Sequence, residues 1–406
     1  MNYQQMKKDL RRKVQERMGY EREYTDKEVE ETIDEVLLTQ EPLRWYSVEI
    51  RRQLRKELFD SLRRLDILQI FVEDSSVTEI MINGTEAIFI EREGSLQKLD
   101  VGFESAEKLQ DVIQQIVAGC NRVVNEASPI VDARLKNGAR VNIVMNPVAL
   151  NGPIVTIRRF PDHPITMDKL IQNGSITREA AALLRKLVQA KYNIFISGGT
   201  GSGKTTFLNV LSQFIPSQER VITIEDSAEL QLLDLPNLVR LETRNSNASG
   251  CSEITIRELI RTSLRMRPDR IIVGEVRGPE AVDMMQCLNT GHDGSMSTGH
   301  ANSAVDMLSR LETMILMGMD LPLAAIKQQI ASGIDIIVHL GRLRDKSRRV
   351  LEIAEVAGCQ EGEIMLHPLY CFEEEVVSDN REKIRGKLQK KGELMHEEKL
   401  RAAGIC

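Results

Sequence analysis

Along the first 66 residues, apolar side chains recur at helical spacing in a heavily charged background. Val29, Ile33, Val36 and Leu37 make one stripe, and Leu54, Leu58, Leu62 and Leu65 make another. This predicts amphipathic helices that each bury one face. From residue 67 the period changes. Residues 79–83 and 87–91 are short apolar runs around Asn83-Gly84, the signature of a hairpin with a slightly long turn. Ser105 caps a predicted helix on which Leu109, Val112, Ile113, Val117 and Cys120 share a face. Residues 140–145 and 154–158 read as two more strands, with Asn151-Gly152-Pro153 turning between them, and Pro161-Asp162-His163-Pro164 then breaks the pattern. Beyond that break, strand-like and helical stretches alternate, which predicts a largely parallel sheet with helical crossovers. The expected organisation is a helical segment over 1–66, a smaller α/β domain over 67–160, a larger α/β domain over 161–372 and a charged tail over 373–406. That tail holds eight acidic and eight basic residues and almost no apolar cluster, so a loose helix or extension is expected.

Composition narrows the function classes. The 406 residues carry 54 Lys+Arg against 60 Asp+Glu, a net charge of −6. The overall positive field of a non-specific nucleic-acid binder is therefore missing. Aromatic residues are 4% of the chain and Trp45 is the single tryptophan, too few for a row of base-stacking platforms. Arg51, Arg52, Arg55, Lys56, Arg63 and Arg64 lie among the leucines of the second stripe, but residues 1–64 hold 15 basic and 14 acidic side chains. A solvated helix face accounts for that balance better than a lipid-binding patch. The six cysteines, at 120, 251, 287, 359, 371 and 406, never form C-x-x-C, so zinc clips lack their spacing and reduced thiols are expected. Residues 1–12 have no apolar signal core, and no run approaches the roughly 18 apolar residues of a membrane span. The chain is expected to be cytoplasmic and to reach a membrane only by docking on partners.

The chemistry is concentrated after residue 190. An apolar strand at 193–196 runs directly into Gly198-Gly199-Thr200-Gly201-Ser202-Gly203-Lys204-Thr205, and a helical run follows from Thr206. This is G-x-x-x-x-G-K-[ST] in the strand–loop–helix context it requires. Glycines let successive backbone N–H groups converge on phosphate oxygens at a helix N-terminus. Lys204 can reach the β- and γ-phosphates, and the Thr205 hydroxyl can ligate Mg²⁺, so ATP and Mg²⁺ are the expected cofactors. Residues 270–275 form an apolar strand ending in Glu275, placed to face a γ-phosphate and its attacking water. A second such strand, 221–224, ends in Glu225-Asp226, with Glu229 following. These acids suit water or metal positioning, or a capped turn. His292 and His300 sit in the polar, glycine-rich stretch TGHDGSMSTGH at 290–300. No cysteine or carboxylate pair completes a zinc set there, and a phosphate-sensing or intersubunit role fits better.

Taken in chain order, these four elements resemble the ATPases of type II and type IV secretion and pilus assembly, whose Walker A, Asp, Walker B and His boxes look like residues 198–205, 224–230, 271–275 and 291–300. VTEIMING at 77–84, GPIVTIRRF at 152–160 and TGHDGSMSTGHANS at 290–303 are most similar to the CpaF type, the motor of Tad/Flp pilus assembly. The resemblance spans residues 45–370. It implies a RecA-like P-loop core, a PAS-like N-terminal domain and a homohexameric ring with nucleotide bound between the two domains. It also implies partners in an inner-membrane pilus or secretion platform, with no nucleic acid. Arg134, Arg140, Arg158 and Arg159 look like the family's phosphate-approaching arginines, whose planar fork suits developing charge on phosphate. Arg267 and Arg277 are weaker candidates. The four-cysteine zinc module of many type II secretion and pilus-extension motors is absent from the sequence, which favours the CpaF-like or conjugative branches. The N-terminal helices favour the former. A conjugative traffic ATPase, a RecA-like nucleic-acid motor and a non-hydrolysing nucleotide scaffold are the alternatives.

Overall fold

The computed structural model describes residues 3–19, 22, 24–40, 46–92, 94–120, 122–159, 164–244, 252–375 and 384–405. The chain divides into two compact units, Met1–Asp162 and His163–Cys406. Most of the proline-bounded break at 161–164, together with Trp45, Cys251 and Cys406, lies outside the described residues.

The first unit opens with three helices, α1 (Tyr3–Met18), α2 (Asp26–Thr39) and α3 (Val48–Arg63). Thr25 and Glu28 close a reciprocal capping box at the start of α2, and Ser47 caps α3. Val29, Ile33 and Val36 meet Leu54 and Leu58 and, from α1, Met6, Leu10 and Val14 in a shared core. Leu37 and Leu62 are half-buried at its margin. The arginines between the leucines are ion-paired rather than merely solvated: Arg55 bridges to Glu30 and Asp34, Arg63 to Asp26, and Arg64 to Glu73.

After the short α4 (Gln69–Glu73), the chain forms β1 (Val77–Asn83), β2 (Ala87–Arg92), β3 (Ser95–Lys98), α5 (Ala106–Ala118), β4 (Ile130–Arg134), β5 (Arg140–Val144) and β6 (Ile154–Arg158). The six strands form an antiparallel sheet in the order β3-β2-β1-β6-β5-β4. Alternate residues point to one face. Ile80, Ile82, Ile88, Ile90, Val141, Ile143, Val155 and Ile157 therefore pack together under Leu109, Val112, Ile113 and Val117 of α5. Cys120 falls just past the end of α5, where its thiol donates to Arg134 O at 2.7 Å. The edge strand β3 is exposed throughout.

The second unit comprises α6 (Met167–Gln172), α7 (Arg178–Gln189), β7 (Ile194–Gly198), α8 (Lys204–Ser212), β8 (Val221–Glu225), β9 (Leu238–Glu242), α9 (Ile256–Ser263), β10 (Arg270–Val273), α10 (Ala281–Asn289), β11 (Met296–Gly299), α11 (Ala304–Gly318), α12 (Leu323–Gly333), β12 (Ile336–Arg342), β13 (Arg348–Gln360), β14 (Glu363–Glu374), β15 (Gly386–Lys390) and α13 (Glu398–Ala402). Nine strands form one sheet in the order β15-β14-β13-β12-β7-β11-β10-β8-β9. From β12 to β9 all pairings are parallel, and β13 to β15 extend the sheet antiparallel. Strands β7, β8, β10 and β11 are buried along their whole length, as a parallel sheet covered on both faces requires. Its two faces are covered by separate apolar clusters, one including α7 and α8 and the other including α10, α11 and α12.

A buried charge fixes the entry to the central strands. Arg270, the first residue of β10, has no exposed surface, and its guanidinium pairs with Glu219 and donates to Val188 O at 2.7 Å and Gly294 O at 3.2 Å.

The segment expected to be a loose charged tail is instead part of this sheet. Strand β15 pairs with β14 from Tyr370↔Lys390 to Glu374↔Gly386. Ile384 and Leu388 are buried, and Leu394, Leu400 and Ile405 pack against the core. The inward residues recur among Arg385, Lys387 and Lys390, so a high charge count hid a strand period. Lysines on an outermost strand also discourage edge-to-edge pairing. Beyond β15, the buried carboxylate of Glu355 accepts hydrogen bonds from the Met395 and His396 amides, and Tyr192 Oη donates to His396 O at 2.6 Å.

Candidate active site

Strand β7 delivers the glycine-rich loop at the C-terminal edge of the sheet, where parallel α/β folds place ligands. Gly198 leaves the strand at φ 155°, and a Cβ there would stand 2.4 Å from Leu340 O and 2.6 Å from Ser202 Oγ. Only glycine fits between β12 and the loop. Gly203, at φ 94°, is the N-cap of α8 and offers no side-chain cap. The first N–H groups of α8 therefore lack helical partners and, with the positive end of the helix dipole, form an anion-binding terminus. The half-buried Thr205 stands in that first turn, and its hydroxyl makes no hydrogen bond to any described residue. Thr200 and Thr206 flank the same loop, Thr200 exposed at its tip and Thr206 half-buried in the helix.

Lys204 is buried, and its ammonium donates to Gly198 O at 3.1 Å and Gly199 O at 3.2 Å. It also reaches Nδ1 of His300 at 3.2 Å. The same ammonium lies 3.5 Å from Nε2, and because it can only donate, its positive charge faces the acceptor edge of a neutral ring. Burial, and then the nearby Lys204 charge, hold the His300 pKa below its ordinary value. Nε2 faces Glu275 Oε1 at 2.8 Å, off the line of a hydrogen bond, so that buried oxygen has no hydrogen-bond donor. The other oxygen of Glu275 accepts from Arg277 at 2.6 Å, and Arg277 lies 3.7 Å from Asp226. The loop lysine, His300 and Glu275 therefore form one connected cluster at the ends of three adjacent strands. A polar cleft of ≈ 420 Å³ opens beside it, lined by Gly199, Thr200, His300, Asn302 and Arg310 among others.

Glu225 is placed differently. It is 3% exposed, and Oε1 accepts from the Glu229 and Leu230 amides at 2.8 and 3.0 Å. Its Oε2 is buried with no hydrogen-bond partner. Burial dominates over those amides and pushes its pKa up to about 7. Its side chain lies against Gly274, where an added Cβ would stand 2.9 Å from Glu225 Cγ. Glu225 thus braces the turn to Glu229 and the backbone just before Glu275.

His292 precedes β11 at the opposite end of the sheet from His300 and does not join the cluster. Arg267, at φ 55°, lies before β10, also away from the loop. In the first unit, Arg134, Arg140 and Arg158 occupy neighbouring register positions across β4, β5 and β6, and Arg158 is 3.8 Å from Glu79. The Arg159 guanidinium donates to Asp74 O. Two further polar contacts support the site: Thr298 donates to Gly274 O at 2.8 Å, and Ser197 meets His339 Nδ1 at 2.7 Å. Hydroxyls inside fully buried strands were the available signal for both; Thr298 lies within the TGHDGSMSTGH stretch, and Ser197 immediately precedes the glycine-rich loop.

Among the described residues no group of three or more His, Cys, Asp or Glu side chains is arranged to hold a metal ion. The Thr205 hydroxyl beside the loop suits Mg²⁺, which typically takes one or two protein oxygens and completes its shell with phosphates and water.

The chain is similar to known proteins over most of its length. The conjugal transfer protein TrbB of Rhizobium radiobacter is 32% identical over 309 residues, covering 75% of this chain and 91% of TrbB. The type IV secretion system protein VirB11 of Brucella suis is 32% identical over 303 residues, covering 68% of this chain and 84% of VirB11. The crystal structure of the pilus retraction motor PilT with bound ADP shares the fold, with a TM-score of 0.50 and 16% identity, covering 85% of this chain and 87% of PilT. Residues 62–395 match the family described as Type II/IV secretion system protein, and the chain is a member of that ATPase family.

Proposed function

We propose that the protein is a Mg²⁺-dependent ATP-hydrolysing motor that powers Tad/Flp pilus assembly or type II/IV secretion. The Lys204–His300–Glu275 cluster carries this reading, because it joins a phosphate-binding cation to a half-buried carboxylate with one enclosed, unfilled acceptor oxygen. Lys204 exchanges its carbonyl contacts for phosphate oxygens, and backbone N–H groups of residues 198–206 hold the rest of the triphosphate. The Thr205 hydroxyl would hold Mg²⁺, which would supply charge neutralisation at the phosphates. Glu275 orients and polarises the attacking water, with His300 keeping it in register beside the phosphate. Glu225 assists from behind by holding the backbone that carries Glu275. Arg134, Arg140, Arg158 and Arg159 are proposed to stabilise charge developing on the phosphates.

Glu275→Gln keeps the shape of the side chain and removes the base. It should retain ATP affinity while steady-state phosphate release falls by a factor of at least about 10². Undiminished turnover in that variant would remove Glu275 from the mechanism. Lys204→Ala should lose both binding and turnover.

The working form is proposed to be a homohexamer at the cytoplasmic face of the membrane, attached through inner-membrane platform proteins. Among the described residues no helix is long and apolar enough to cross a membrane. The three-helix lead and the sequence motifs support the CpaF-type reading. The likeness to TrbB and VirB11 supports a conjugative or type IV secretion role as the second reading. Crosslinking in native cells separates them: pilus-platform proteins should be recovered under the first, and conjugation-channel proteins under the second.

A further inference from the structure

The phosphate-binding loop has a second wall that no motif marks. Strand β12 runs parallel to β7 from Ile336↔Ile194 to Leu340↔Gly198 and continues to Arg342, where a tight hairpin returns the chain to Arg348, its register partner. Arg342 Nη1 lies 3.8 Å from where a Cβ on Gly201 would be, and Arg348 Cδ lies 3.5 Å from the same position on Gly203. Both side chains therefore lie against the loop. Both are exposed, and neither guanidinium has a hydrogen-bond or ion-pair partner among the described residues.

Of the other charged residues on the hairpin, Lys346 at the exposed tip has no side-chain partner among the described residues, and the rest are engaged. Arg344 pairs with Glu374, Arg349 donates to the carbonyls of Gly386 and Ile384, and Asp345 accepts from Ser347 and from the Ile384 amide. The hairpin is thus fastened on its outer side by Arg344, Asp345 and Arg349, while the two cations that lie against the loop are left unmatched. Like charges directly opposite across a strand pair repel. An arrangement that keeps them there suits an anion placed between them and the loop.

The sheet order indicates which part of a nucleotide that is. Glu275 and His300 follow β10 and β11, on one side of β7, and β12 lies on the other side. A triphosphate whose reacting end faces Glu275 extends its α-phosphate, ribose and base toward β12. We propose that Arg342 and Arg348 form the nucleoside-side wall of the site, pairing with the α-phosphate and lying against the ribose and base. Guanidinium groups do both, by forked hydrogen bonds to phosphate and by stacking on aromatic faces. The inference rests on the nucleotide-binding reading above.

The test uses the full chain and equilibrium binding of ADP, followed by calorimetry. The Arg342→Ala/Arg348→Ala double variant should bind ADP at least about tenfold more weakly than the unaltered protein. Its KM for ATP should rise by more than its kcat falls. Inorganic pyrophosphate, which has no ribose or base, should lose less affinity than ADP. Arg344→Ala, on the same hairpin but paired with Glu374, should bind ADP within twofold of the unaltered protein. The proposal is overturned if the double variant binds ADP within twofold of the unaltered protein. It is overturned equally if Arg344→Ala loses as much, because the hairpin's shape would then matter rather than the two charges. An equal loss for pyrophosphate would place the arginines on the phosphates alone and remove the nucleoside-side wall. If the unaltered protein binds neither ADP nor ATP, the nucleotide reading itself falls, an outcome visible without any variant.

Discussion

At the scale of single residues, Glu225 and Gly198 show how much of the site depends on atoms that never touch a substrate. A carboxyl whose folded pKa stands at about 7, against an ordinary value of 4.5, binds an extra proton in the folded state between those limits. Its contribution therefore makes the fold less stable as pH rises from about 4.5 to about 7, and levels off above that. Glu225→Gln should flatten this slope, by up to about 3 kcal/mol between the two ends. Urea denaturation of both proteins across this pH range measures it, and parallel curves would contradict the raised pKa. Gly198→Ala forces a methyl group into the Leu340 carbonyl and the Ser202 hydroxyl. It should cost about 1–3 kcal/mol in stability and weaken ADP binding, because the loop can relieve the clash only by moving. A variant as stable and as tightly binding as the unaltered protein would mean that β12 yields instead.

At the scale of elements, legibility followed periodicity and chain locality. The stripes of α2 and α3, the Ser105 cap of α5 and the strands leading to Gly198 and Glu275 could be read because each is a contiguous run with one period. The edge strands β3 and β4 escaped, since β3 has both faces exposed and β4 is short and mostly half-buried. Strand β15 escaped because its lysines outnumber its inward residues. The site was legible where its members sit in motifs, as Lys204, Glu275 and His300 do. The hairpin arginines Arg342 and Arg348 were not, because their closeness to the loop arises from pairing between β7 and β12, which lie far apart in the chain. The C-terminal segment gives a test at this scale. Glu355→Ala leaves the amides of Met395 and His396 without their acceptor and should cost about 2–4 kcal/mol, with faster proteolysis near residue 395. Glu16→Ala, which removes an ion pair with Arg12 that is exposed on both sides, should stay within about 0.5 kcal/mol.

At the scale of the whole molecule, two units carry separate apolar clusters, two in each. Heat unfolding should accordingly depart from a single two-state transition. ADP at about a hundred times its Kd should stabilise the transition of the unit carrying the loop by about 2.7 kcal/mol. Calorimetry with and without ADP reads both effects. One coincident transition would mean that the two units unfold together.

Arg270 constrains how this sequence can change over generations. Its guanidinium is fully enclosed and matched to Glu219 and to two carbonyls. Losing either member of the pair strands a buried charge, whereas an apolar pair of similar volume can be as stable as the ion pair. A lineage could reach that apolar pair only by passing through a crippled intermediate or by changing both positions at once. The two sites should therefore behave as a single unit of inheritance, although they stand 51 positions apart in the chain.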